Sequence, residues 1–262
     1  MSNPKLLPGK FVWFEFVSDD PKRAQAFYGA VLGWKTVPFP MGNSAYEMIY
    51  AGDTMIGGYA APHSAGERSH WISYVSVDDV DAAAKTASAS GGKVLEPPFD
   101  IMNVGRAARI ADPQGAELYL FRKVNDDPVD GVPPPGGWLW NELHTTDPAQ
   151  ALGFYEKVVG FSNRAMDMGP AGTYHILSRG GVDRGGVTSH LNAGVRPHWL
   201  PYVAVDDDDA TIATAKKLGA TIPMPPEDIP GVGRLGILED PTGAVLAMLK
   251  PVPAEKAAEA RS

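Results

Sequence analysis

Two glutamates stand in predicted strands whose other residues are bulky and apolar. Glu15 and Glu142 each follow a tryptophan by two positions, one near the start of the chain and one past its middle. Burial among apolar side chains raises the pKa of a carboxylate, which then suits a general base for enolisation or isomerisation. The alternative is a structural carboxylate paired with Arg106, with Arg234 or with backbone amides. Both interpretations remain open.

Two histidines begin a second pair of matching segments. His70 begins His-Trp-Ile-Ser-Tyr-Val-Ser-Val-Asp, and His198 begins His-Trp-Leu-Pro-Tyr-Val-Ala-Val-Asp. Imidazole is the side chain that most readily exchanges protons near pH 7. We therefore predict that His70 and His198, with Glu15 and Glu142, are catalytic. His144, which is a valine in the first copy, is interpreted as a rim or surface histidine.

These pairs belong to an internal repeat that spans the chain. Asp20-Pro21 and Phe27-Tyr28 in the first half match Asp147-Pro148 and Phe154-Tyr155 in the second. Each half is predicted to begin with an apolar strand, followed by a helix that begins at Asp-Pro and by three further strands. The same order returns at both histidine segments, so the sequence predicts four βαβββ segments.

The predicted fold class is α+β, with the four segments paired into two tandem modules. Each module is expected to be a half-open barrel of mixed sheet, with helices outside and a cleft within. The predicted boundaries are an N-terminal arm (1–10), the first module (11–123), a Pro/Gly linker (124–137), the second module (138–251) and a tail (252–262).

Composition excludes several classes of function. The 262 residues include no cysteine, which excludes a thiol nucleophile, a disulfide scaffold and a cysteine-ligated metal. The net charge is −8 and no cluster of basic residues is present, so we expect no nucleic-acid partner. No apolar run approaches the ~20 residues of a membrane-spanning helix, and the N-terminus lacks the apolar core of a signal peptide. We expect a cytoplasmic monomer or homodimer.

The ordered motifs resemble the vicinal oxygen chelate superfamily, which includes glyoxalase I, bleomycin-resistance proteins and extradiol dioxygenases. The resemblance rests on Asp-Pro, Phe-Tyr and Leu-Gly-Trp after the first strand, Val-Asp-Asp-Val-Asp before the second helix, and Asp-Pro-x-Gly before the last strand of a module. The resemblance covers both halves. The whole chain looks most like tandem glyoxalase-like proteins of actinobacteria, some of which are known as culture-filtrate antigens. The half-open barrel fold follows from this resemblance.

The resemblance also locates the places where such proteins hold a divalent metal. In this chain those places carry Trp13, Gly57 or Gly58, Ile72 and Tyr119 in the first half, and Trp140, Gly185 or Gly186, Leu200 and Ala247 in the second. None of these side chains ligates a metal in the usual way, so we expect no metal and no other cofactor. The alternative is a displaced site of Glu15, His70 and Glu117, each two positions from an expected ligand.

The cleft is expected to hold a small-molecule ligand. The predicted ligand-binding residues are Trp13, Tyr74, Arg106, Glu117, Tyr119, Trp140, Tyr202 and Arg234, and the alternative for the aromatic ones is a packed core. The predicted function is a glyoxalase-like lyase, isomerase or hydroxylase-like enzyme acting on a small metabolite. A non-catalytic drug- or metabolite-binding protein of the bleomycin-resistance type is the alternative. In a third interpretation one module only supports the other, and the second module, with Val245 in place of Glu117, is then the support.

Overall fold

The computed structural model describes residues 5–41, 44–169, 172–191 and 194–252, and over these residues the chain forms four βαβββ segments. The first contains β1 (Phe11–Val17), α1 (Pro21–Leu32), β2 (Lys35–Met41), β3 (Ser44–Ala51) and β4 (Thr54–Ala60). The second contains β5 (His70–Ser76), α2 (Val80–Ala89), β6 (Lys93–Ile101), β7 (Gly105–Ala111) and β8 (Glu117–Lys123). The third contains β9 (Trp138–His144), α3 (Pro148–Val159), β10 (Ser162–Asp167), β11 (Thr173–Arg179) and β12 (Val182–Thr188). The fourth contains β13 (His198–Ala204), α4 (Asp208–Lys217), β14 (Thr221–Ile229), β15 (Gly233–Glu239) and β16 (Val245–Pro251).

Each helix begins where an aspartate side chain accepts a hydrogen bond from a backbone amide three residues later. Asp20 and Asp147 do this directly before a proline, as the sequence predicts. α1 ends at Gly33, whose φ of 68° lies in the left-handed region that glycine adopts without strain. The predicted α+β class and the βαβββ order are both confirmed.

The strands form two eight-stranded mixed sheets. Their orders are β2-β3-β4-β1-β5-β8-β7-β6 and β10-β11-β12-β9-β13-β16-β15-β14. Each sheet ends in edge strands, so neither closes into a full barrel, in agreement with the expected half-open form. Parallel pairing aligns Glu15 with Gly58 in the first sheet and Glu142 with Gly186 in the second.

By contact density the chain divides into two compact units, each built from both halves of the sequence. Unit 1 contains the residues up to Trp13, Ile72–Asp130 and Trp140–Leu200. Unit 2 contains Phe14–Trp71, Gly131–Leu139 and the residues from Pro201 onward. Helix α2 packs against α3 in unit 1, and α1 packs against α4 in unit 2.

A buried Trp-Tyr-Asp contact joins the two halves of the sequence within each unit. In unit 1 the Trp199 indole donates to the Tyr155 hydroxyl at 2.9 Å, and that hydroxyl donates to the Asp112 carboxylate at 3.4 Å. In unit 2 the Trp71 indole donates to Tyr28 at 3.1 Å, and burial together with the nearby Asp240 carboxylate, which comes from the second half of the sequence, raises the pKa of Tyr28. These contacts explain why the Phe-Tyr and Asp-Pro-x-Gly motifs recur together.

The segment expected to be an N-terminal arm is held by hydrogen bonds where the structure describes it. The Leu7 amide donates to the buried Asp127 carboxylate at 2.7 Å, and the Gly9 amide donates to the Ser76 carbonyl at 2.7 Å. Lys10 forms a 3.1 Å ion pair with Asp130 in the linker. Residues 1–4 and most of the expected tail, 253–262, lie outside the described residues. Among the residues described, no helix is both long and apolar enough to cross a membrane.

Candidate functional site

β9 carries two polar side chains on the sheet face that points away from α3. Leu143 lies in the core on the helix side, so alternation along the strand places Glu142 and His144 together on the opposite face. The register of β12 against β9 brings Gly186 beside Glu142 and Thr188 beside His144. Both polar side chains are largely buried, with 12% of the Glu142 side chain and 14% of the His144 side chain exposed.

Glu142 is held by a tyrosine and a histidine. The Tyr174 hydroxyl donates to the Glu142 carboxylate and accepts a 2.9 Å hydrogen bond from the Trp140 indole. Burial, together with the negative charge of Glu142, raises the pKa of Tyr174, so this hydroxyl keeps its proton. The other contact is a 2.9 Å ion pair from Glu142 Oε1 to His144 Nε2.

The surroundings of His144 favour its protonated form. His144 Nδ1 lies 2.6 Å from the His190 carbonyl oxygen, and Nε2 faces the Glu142 carboxylate. An oxygen atom close to each ring nitrogen favours the positively charged imidazolium, although the contact of Nε2 with Glu142 is an ion pair without the geometry of a hydrogen bond. Burial lowers the pKa of His144, but the interaction with the Glu142 carboxylate outweighs burial and leaves the pKa raised.

The surroundings of His198 favour its neutral form. Its ring stacks on that of His144, with 5.2 Å between ring centroids and 12° between ring planes. Burial lowers the pKa of His198, and the positive charge of His144 lowers it further. His198 Nδ1 lies 2.9 Å from the Arg196 carbonyl oxygen, so the neutral ring carries its proton on Nδ1. Nε2 then has a lone pair with which to accept a proton.

The interpretation of His144 as a rim or surface histidine is wrong. Its side chain is mostly buried, because the ring packs between the Glu142 carboxylate and the His198 ring. The sequence signal that could have found it is the two-residue spacing from Glu142 on one strand, combined with His198 at the start of β13.

The equivalent residues of the first half lie in unit 2 and form a different set of contacts. Tyr46 donates to Glu15 at 2.6 Å, which repeats the contact of Tyr174 with Glu142. Buried Val17 replaces the second histidine, so the stacked histidine pair has no counterpart here. His70 Nδ1 lies 3.0 Å from the Arg68 carbonyl oxygen, and His70 Nε2 lies 3.7 Å from Glu67. The structure thus brings Glu142 near His198 in unit 1, whereas in unit 2 Glu15 bonds to Tyr46 and His70 lies near Glu67.

The two arginines predicted to bind ligand lie in ion pairs at the helices. Arg106 Nε lies 2.6 Å from Asp81, and Arg234 Nε lies 2.5 Å from Asp209. Both aspartates lie in the first turn of a helix, where a carboxylate also interacts favourably with the helix dipole. The expected pairing of Glu15 and Glu142 with these arginines is replaced by the tyrosine and histidine contacts above.

The other predicted ligand-binding residues are distributed over several strands. Tyr74 and Tyr119 stack with 4.3 Å between centroids, and Arg109 holds Glu117 at 2.9 Å. Tyr202 is buried, whereas Trp13 and Trp140 are half-buried. Their role in binding stays a prediction.

Comparison with known proteins identifies the family. Residues 10–120 and 140–248 match the Glyoxalase/Bleomycin resistance protein/Dioxygenase superfamily. The chain belongs to this superfamily. It is 37% identical over 246 residues to CFP32 of Mycobacterium tuberculosis (strain CDC 1551 / Oshkosh), which is provisionally named a glyoxylase; the match covers 92% of this chain and 94% of CFP32.

Two further proteins are similar to this chain over most of its length. The anthracycline biosynthesis protein DnrV of Streptomyces peucetius is 32% identical over 269 residues, covering 94% of each chain. The Mn(II)-bound glyoxalase of Novosphingobium aromaticivorans has the same fold, with a TM-score of 0.65 at 17% identity, covering 94% of this chain and 83% of the other.

The places where glyoxalase-superfamily members bind metal do not fit a metal ion in this chain. At Gly58 and Gly186 a side chain would overlap the hydroxyl of Tyr46 and of Tyr174, respectively. Ile72 and Leu200, at another of these places, are buried and apolar. Among the described residues no group of three His, Asp or Glu side chains is arranged to hold a metal.

The displaced metal site proposed from the sequence is not assembled by the contacts of its members. Glu15 contacts Tyr46, His70 lies nearest Glu67, and Glu117 is paired with Arg109. We therefore derive no chemical step through a metal.

Proposed function

We propose that this glyoxalase-superfamily protein is an enzyme that moves a proton at the carbon beside a carbonyl group of a small metabolite. His198 is the general base, and the Glu142–His144 pair supplies a fixed positive charge. The observation that carries the proposal is the stacking of two histidines whose surroundings shift their pKa values in opposite directions. Neighbouring groups whose environments separate their pKa values are typical of acid–base sites.

The proposed reaction uses only side chains of unit 1. His198 Nε2 removes the proton from the carbon, and the bonding electron pair moves toward the carbonyl oxygen to give an enolate. The positive charge of His144 stabilises the negative charge that develops, since it is already in place when the reaction begins. His198 then returns the proton to the enolate oxygen, which gives the enol isomer, or to the original carbon, which gives the ketone back with its proton exchanged. Tyr174 and Trp140 hold Glu142 in position throughout.

An aromatic ketone is the substrate class that we favour. Trp140 is half-buried on the same face as Glu142 and His144, so its ring is available to a flat ligand. The name of the relative DnrV supports this class, because anthracyclines are polycyclic aromatic ketones. This proposal assigns the chemistry to the second half of the sequence, which is the supporting half only in the third interpretation of the sequence.

A non-catalytic binding protein is the second candidate. The observation that favours it is the filling of the metal positions by large aromatic groups, with Tyr46 and Tyr174 packed against glycines and tryptophan at residues 13 and 140. Such a cleft binds a flat ligand without reacting with it.

Proton exchange with solvent separates the two candidates. We expect the wild-type protein to speed the loss of the α-proton NMR signal of 2-indanone or hydroxyacetone in D2O, compared with buffer. Because general acid–base catalysis contributes roughly 10²–10⁴-fold, His198→Gln should lose most of this acceleration. His144→Val, which installs the residue found in the first half, should also lose it. His70→Gln, the matched change in unit 2, should not. A wild-type rate equal to buffer, or an unaffected His198→Gln variant, would contradict the enzyme proposal.

A further inference from the structure

A polar row crosses three strands of unit 1 on the sheet face opposite α2. Glu96 on β6 pairs in register with Arg109 on β7, which pairs with Tyr119 on β8. Glu117 lies on the same face of β8, two residues before Tyr119. Arg109 Nη1 donates to Glu117 at 2.9 Å, and the Tyr119 hydroxyl donates to Glu96 at 3.0 Å. Tyr74 supports the row by stacking on Tyr119.

The second half of the chain forms the same strands without polar residues at these positions. The residues that correspond to Glu96, Arg109, Glu117 and Tyr119 are Met224, Ile237, Val245 and Ala247. Met224 pairs with Ile237, and Ile237 pairs with Ala247, so the register is identical. The fold therefore does not require the polar row.

Arg109 is also incompletely satisfied. Its Nε is buried and has no hydrogen-bond partner among the described residues, while its side chain as a whole is 15% exposed. A buried donor without an acceptor costs free energy that an apolar residue in its place would not cost. A residue that the fold does not need and that lowers stability is best explained by a binding function.

The charges of the row determine which ligand fits. The row contains one guanidinium and two carboxylates, so its net charge is negative and a further anion would be repelled. A neutral carbonyl oxygen can instead accept a hydrogen bond from Arg109, while a hydroxyl donates to a carboxylate. The Glu117 side chain is 39% exposed, which leaves a path from solvent to this end of the row.

We propose that Glu96, Arg109, Glu117 and Tyr119 form a second binding site, for a neutral aromatic hydroxy-ketone. The site is separate from the histidine pair and does not depend on the reaction proposed there. Arg109 binds the ketone oxygen, Glu117 or Glu96 accepts the hydroxyl proton, and the ligand ring lies beside Tyr119.

Binding of 6-hydroxy-1-tetralone, followed by NMR titration of the full chain, tests this site. We expect a saturable shift of the Arg109 and Tyr119 signals. The anion 6-hydroxy-2-naphthoate, which has a similar size, should bind at least tenfold more weakly because the two carboxylates repel it. 1-Tetralone, which lacks the hydroxyl donor, should also bind more weakly. Absence of a saturable shift with 6-hydroxy-1-tetralone, or tighter binding of the anion, would overturn the proposal.

Two variants separate binding from structure. Arg109→Ile with Glu117→Val installs the residue pair of the second half, so it should fold while weakening tetralone binding by tenfold or more. Arg106→Ala removes another arginine of β7 that is paired with Asp81 and should leave the dissociation constant within about twofold, because it lies in a surface ion pair. Wild-type affinity in the folded double variant would overturn the proposal. If that variant does not fold, Arg109→Lys decides the matter: it keeps the charge but loses the planar donor set, so unchanged affinity would count against the site.

Discussion

Replacing Asp208 by valine is expected to raise the free energy of unfolding at pH 8 by roughly 2–4 kcal/mol. Asp208 is fully buried, and neither carboxylate oxygen has a hydrogen-bond partner among the described residues. Burial, followed by the negative charge of Asp209, raises the pKa of Asp208 to about 7. Val80 occupies the same place in the first half, where it is also buried. The fold therefore accepts valine at this position.

The pH dependence of this effect has a definite sign. Because the pKa of Asp208 is higher in the folded than in the unfolded chain, ionisation of Asp208 destabilises the fold as the pH rises from about 4 to 7. Urea unfolding at pH 5 and pH 8 should show a smaller loss of stability across this range in Asp208→Val than in the wild type. Asp81→Asn, the change equivalent to Asp209→Asn in the first half, is the control and should leave the loss unchanged, since Arg106 lowers the pKa of Asp81 and that carboxylate stays ionised throughout. An equal loss in the wild type and in Asp208→Val would contradict the account.

Gly186→Ala is expected to destabilise the protein by about 2–3 kcal/mol, because overpacking forces its neighbours to move. The new methyl group would overlap the Tyr174 hydroxyl and displace it from Glu142. The free energy of unfolding from urea titration measures the effect. Gly153→Ala is the control of opposite sign: it lies inside α3 with no atom near the added methyl group, and it should stabilise by ~0.5–1 kcal/mol.

A third variant tests the cause of the Gly186→Ala effect. Tyr174→Ala removes the overlapping hydroxyl. Gly186→Ala should therefore lower the free energy of unfolding by less in the Tyr174→Ala variant than in the wild type. Equal costs in both backgrounds, or a Gly186→Ala variant as stable as the wild type, would show that Tyr174 does not fill this space.

Much of the fold could be predicted because its signals are local. Asp20-Pro21 starts a helix through contacts within four residues, and Gly33 ends it through its own backbone conformation. The repeat then extends these local predictions to all four βαβββ segments. The contact of Tyr155 with Asp112 could not be predicted, because it joins different halves of the sequence through the tertiary fold.

The candidate site was predicted only in part, since alternation along a strand gives the face of a residue but not its partners. Glu142 and His198 were among the predicted residues, whereas His144 was assigned to the rim or surface because its counterpart is a valine. Arg106 and Arg234 were predicted to bind ligand, and Arg109 was not; the structure has both of the predicted arginines in ion pairs with helix aspartates. Asp206 to Asp209 are four consecutive aspartates, and only packing distinguishes the helix-capping Asp207 from the buried Asp208.

The central claim is that His144 and His198 differ in protonation, and an NMR pH titration of their ring signals tests it most directly without a substrate. The account predicts that His144 titrates above the usual histidine range and His198 below it, and that Glu142→Gln lowers the pKa of His144. Equal pKa values for the two rings, the reverse order, or a His144 pKa unchanged in Glu142→Gln would contradict the proposed proton-transfer site.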